Sequence, residues 1–92
     1  MNTTTAAPVL ISTSRQRDDY GRGVLHTLVN GRTVCVRVTL PKTCADRYLI
    51  NDWAGGQDEN GHTPVHYLST LAEARAIEAG ILGREIEKAQ QG

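Results

Sequence analysis

The dipeptide Asn30-Gly31 constrains this chain more than any other feature of its sequence. It separates Gly23–Val29 (GVLHTLV) from residues 32–40 (RTVCVRVTL), two runs rich in β-branched residues. A two-residue type I′ turn needs positive φ at both central positions, which Asn-Gly tolerates, so the pair predicts a tight antiparallel hairpin. Counting outward from the turn sets a register: Val29 faces Arg32, Thr27 faces Val34, Leu25 faces Val36 and Gly23 faces Val38. In that register Leu25, Val34, Val36 and Val38 share one face and form core. The other face pairs Leu28 with Thr33, His26 with Cys35 and Val24 with Arg37, and His26, Arg32, Arg37 and Thr39 lie at or near solvent.

Around the hairpin the pattern predicts further strands at residues 9–17, 47–53 and 63–68. Asp18-Asp19-Tyr20-Gly21 reads as a turn, and residues 54–62 (AGGQDENGH), with three glycines, as an exposed loop. Pro64 suggests an edge position for the last strand, an edge at which two chains could pair. A helix follows. Thr70-Leu71-Ala72-Glu73 matches a capping box, and Leu71, Ala74, Ile77, Ile81, Leu82 and Ile86 fall on one side of a helical wheel. Gly80 and Gly83 interrupt that pattern as a close approach to the sheet, a kink or an early end. The expected fold is α+β: an antiparallel sheet of four to five strands covered by one C-terminal helix, in a single domain over residues 9–92 after a disordered tail, residues 1–8.

A chain of 92 residues buries a modest core, and without Phe that core is aliphatic. A deep cofactor pocket is not expected, and neither is a small-molecule substrate. Basic and acidic residues balance at ten each, unlike a strongly basic nucleic-acid coat. They are unevenly placed: residues 1–47 hold seven basic and three acidic, residues 48–92 three and seven. Two cysteines are too few for a disulfide framework. With no secretory leader and no apolar stretch of ~20 residues, a cytoplasmic protein is expected.

No catalytic constellation emerges. Cys35, Cys44, His62 and His66 lack zinc-ligand spacing, and an i,i+4 histidine pair on a strand spans ~13 Å. Cys35 opposite His26 has no third group to orient it and no helix N-terminus beside it. Asp58-Glu59-Asn60-Gly61 lacks the alternating oxygens of a calcium loop, and Gly55-Gly56 lacks the Lys-Ser/Thr of a phosphate loop. What stands out is an arginine-rich sheet half, with Arg15, Arg17, Arg22, Arg32, Arg37 and Arg47. Arginine suits bidentate contacts to carboxylate or phosphate. A non-enzymatic binding protein without cofactor is therefore expected, working through its surface.

The length, the Asn30-Gly31 hairpin and the strand-to-helix passage running from Val65 to Ala76 (VHYLSTLAEARA) resemble the small phage-encoded anti-CRISPR proteins directed at type I-F surveillance complexes. The resemblance is one of architecture and implies an inhibitor that binds a bacterial Cas protein–guide RNA complex and blocks target DNA. The surface residues expected to carry binding are Arg22, Asn30, Arg32, Arg37 and Arg47, with guide RNA phosphates as an additional contact. The alternatives are a small nucleic-acid-binding regulator, against which the scattered Tyr48, Trp53 and Tyr67 argue, and a phage accessory or assembly module.

Overall fold

The hairpin forms at the expected turn, with Asn30 at φ 53° and Gly31 at φ 80°. The computed structural model describes residues 8–91, so the tail expected over residues 1–8 lies, except for Pro8, outside them. Five strands form one antiparallel sheet in sequence order: β1 (Ile11–Arg17), β2 (Gly23–Val29), β3 (Arg32–Thr39), β4 (Tyr48–Asn51) and β5 (Val65–Leu68). The helix α1 (Leu71–Gln91) crosses one face of that sheet. The α+β architecture is as expected, while β1, β4 and β5 are each shorter than their sequence patterns.

The register departs from simple counting. Val29 faces Arg32 and Leu28 faces Thr33, but Thr27 then faces Cys35, so Val34 is an extra residue in β3. A bulge of this kind gives one strand two residues against one on its neighbour. Val34 and Cys35 both turn into the core, and the carbonyl of Val34 accepts from the Ala54 amide at 3.1 Å. Beyond the bulge the faces of β3 are exchanged. Arg37 now pairs with Leu25 and Ile50 on the helix side, whereas Val36 and Val38, expected in the core, lie on the opposite face. Cys35 does not meet His26, which pairs with Val36 instead.

The core joins Val29, Val34, Cys35 and Ile50 of the sheet to Ala74 and Ile81 of α1, with Ile77, Leu82 and Leu68 packed around them. Thr70 caps the helix: its Oγ1 accepts from the Glu73 amide at 3.2 Å and donates to the Glu73 carboxylate at 3.0 Å. The helix runs unbroken past Gly80 and Gly83, and a Cβ at either would meet nothing within 4 Å. Neither glycine marks a close approach or an early end.

Two ion pairs anchor the helix. Arg37 Nη1 donates to Glu78 Oε1 at 2.5 Å, with both side chains largely shielded. At the far end of β4, the buried Asp52 carboxylate takes both Arg84 Nη1 and Nη2, at 2.7 and 2.6 Å. Removing one partner of such a shielded pair costs about 3–5 kcal/mol, because a desolvated charge is left behind. The helix packs on β2 to β5 and leaves β1 overhanging, and the sheet face opposite α1 has no covering element among the described residues. No described helix is long and apolar enough to cross a membrane.

Candidate functional site

The structure spreads the five arginine and asparagine positions singled out from sequence over three places. Arg22 lies in the β1–β2 turn, where its Nε donates to Asp18 Oδ2 at 2.6 Å and its guanidinium sits 5.1 Å from the Tyr20 ring centre. The carboxyl of Asp18 is held below its ordinary range, the slight burial that would raise it being outweighed by donors from Arg22 and Tyr20. Arg47 immediately precedes β4 at the same end of the sheet, half-buried, its amide donating to Leu68 O at 3.0 Å. Arg37 is taken up in the Glu78 pair under the helix. It is a packing residue here, and its surface position in the simple register is corrected by the Val34 bulge.

Asn30 and Arg32 remain together at the hairpin tip. The Asn30 side chain is occupied: its Oδ1 accepts from the Leu10 amide at 2.9 Å, while its own amide donates to Leu10 O at 2.7 Å. These bonds tie the chain entering β1 to the tip and hold Asn30 in its left-handed conformation. Arg32 is exposed and makes no ion pair or side-chain hydrogen bond among the described residues.

That tip forms one wall of a groove of about 880 Å³, whose other walls are the loop after β4 and the last turns of α1. Arg32, Trp53 and Lys88 line it together, with Gly56 opening its floor. Trp53 is 58% exposed, unusual for a large aromatic with a groove beside it. Lys88 Nζ lies 3.3 Å from Glu85 Oε2, which also accepts from Arg84 Nε at 2.6 Å, while the other end of the Arg84 guanidinium is held by Asp52. The groove thus offers an uncompensated guanidinium, an ammonium and an indole face: donors for carboxylate or phosphate, and a platform for an aromatic or a cation. Sequence reading found Asn30 and Arg32 but not Trp53 or Lys88, which lie 21 and 56 residues beyond Arg32 in a chain of no repeating pattern.

A second concavity, about 440 Å³, lies where β1 overhangs the helix. Arg15 and Arg17 share its face with Leu25 and Arg37, around the bare backbone of Gly23. Arg17 is tied to Gly21 O at 3.3 Å, and Arg37 is already neutralised by Glu78.

Nucleophile and metal chemistry gather nowhere among the described residues. The Cys35 thiol is enclosed and pushed up to about 12, chiefly by burial and then by the Glu78 and Asp52 carboxylates. A thiol so held stays protonated and unreactive. Cys44 is exposed in a loop away from it, and no described group of three or more His, Cys, Asp or Glu could hold a metal ion. Comparison of the chain with known protein families, curated proteins and solved structures returns no match.

Proposed function

We propose that this chain is a binding protein that acts by docking on a macromolecular partner through the hairpin-tip groove, and does no chemistry of its own. The observation that carries this reading is the exposed Trp53 between Arg32 and Lys88 in a single groove. Interfaces concentrate their energy in aromatic and arginine anchors of this kind, surrounded by near-neutral contacts.

The partner we put forward is a bacterial type I CRISPR–Cas surveillance complex, which the chain, acting in the host cytoplasm, would inhibit by blocking target DNA recognition. Its supports are the architectural resemblance, the small size and the chemistry of the groove, which fits acidic protein surface or guide RNA phosphate. Arg32 is the leading contact; Arg22 and Arg47 flank the opposite end of the sheet and extend the surface for a large partner.

The test is retention of an assembled type I-F complex by the immobilised chain, read with capture of target DNA by the complex. The native protein is expected to retain the complex and abolish DNA capture, and Arg32→Glu combined with Trp53→Ala is expected to lose both. No retention at micromolar concentration would remove this partner. Retention undiminished by the double substitution would remove the groove as its docking site.

A further inference from the structure

Among the described residues, the strand positions on the face of the sheet turned away from α1 carry no acidic or basic side chain other than His26. The register places Ser12, Ser14 and Gln16 of β1 there, then Val24, His26 and Leu28 of β2. Across β3 to β5 the same face continues through Val36 and Val38 to Leu49 and Tyr67, with Asn51 and Val65 beside them. In a chain that is 22% charged, every Asp, Glu, Lys and Arg lies on the helix side, on the helix or in the loops. The centre of this face is aliphatic, while its margins carry hydroxyl and amide groups. Tyr67 is 61% exposed and Val65 42%.

We infer that this face is the interface of a homodimer, in which two sheets stack face to face and the two helices form the outer layers. The occupant follows from charge and symmetry. A self-complementary surface brings groups near the two-fold axis against their own copies, so any charge there would meet a like charge. This face has no Asp, Glu, Lys or Arg, its one histidine, His26, lies on β2 and meets β4 of the copy rather than itself, and the zero net charge of the chain removes long-range repulsion between copies. It also lacks the charges with which different proteins steer and orient one another.

Symmetry picks out the middle strand. In a five-stranded sheet a two-fold axis along β3 sets β3 against β3, β2 against β4 and β1 against β5. Val36 and Val38 then pack on their copies, while Gln16 comes over Tyr67 and Ser14 over Val65. Five strands about 4.8 Å apart, four to eight residues long and averaging ~20 Å, make roughly 500 Å² of flat face per copy. Two such faces reach the ~1,000 Å² at which specific interfaces begin, before the relief of the side chains is counted.

The proposal is independent of the groove and its partner, since the face lies on the other side of the sheet. The experiment is light-scattering mass across a concentration series up to about 100 μM, far above a micromolar dissociation constant. The native chain is expected at twice its 10.0 kDa mass. Val38→Asp, which opposes two carboxylates across the axis, is expected to run as a monomer with a cooperative melt, its self-association weakened ~100-fold or more. Val38→Lys is expected to behave likewise, and an equimolar mixture of the two variants to restore the doubled mass. A native monomer at the highest concentration overturns the proposal. So does a dimer indifferent to Val38→Asp, the result expected of pairing along the β5 edge, and so does a mixture that stays monomeric.

Discussion

A Cβ at Gly55 would lie 2.5 Å from Oδ2 and 2.6 Å from Cγ of Asp52. The carboxylate cannot step aside easily, because it is buried and clamped by both terminal nitrogens of Arg84. Gly55→Ala is therefore expected to destabilise the fold by about 2 kcal/mol, through displacement of a desolvated ion pair. Denaturant unfolding reads this as a lower midpoint at unchanged slope. A change within ~0.5 kcal/mol would show that the loop moves instead, as ordinary surface substitutions do. In the sequence Gly55 is one of three glycines in an evident loop. That it guards a carboxylate was not legible there, because Asp52 and Arg84 are 32 residues apart and meet only when α1 lies across β4. The same holds for Arg37 and Glu78, 41 residues apart.

The elements themselves were largely legible. Local rules set the hairpin turn and the Thr70 cap, and both formed where turn chemistry and hydroxyl capping put them. The helical glycines run the other way: local preference opposes them, and packing gives no compensation. Since a methyl at Gly80 or Gly83 meets only open space, Gly80→Ala and Gly83→Ala are each expected to stabilise the protein by about 0.5–1 kcal/mol, the helix-propensity difference. Thermal or urea unfolding measures this directly. Destabilisation by either would mean that the helix sits closer to another surface than its own sheet requires. The bulge at Val34 escaped sequence reading, since an extra residue in a run of alternating valines leaves no compositional trace.

Across the whole molecule, protection from solvent should follow the reach of α1. Among the described elements, the helix covers β2 to β5 and leaves β1 supported by β2 alone. Amide exchange is expected to be slowest in β3 and β4, around the fully buried Ile50, and faster by an order of magnitude or more in β1. Equal protection in β1 would show that this overhang is covered in solution.

The sequence alone determined which segments are strand and helix, their order, and the turn that joins β2 to β3. Those choices rest on φ preferences and hydrophobic period, which act within a few residues. The tertiary structure decided which side of β3 faces the helix, because strand side chains alternate and one inserted residue exchanges the faces of everything after it. From that single offset came the burial of Arg37 against Glu78, the protonated isolation of Cys35, and the placing of Val36 and Val38 on an uncharged open face.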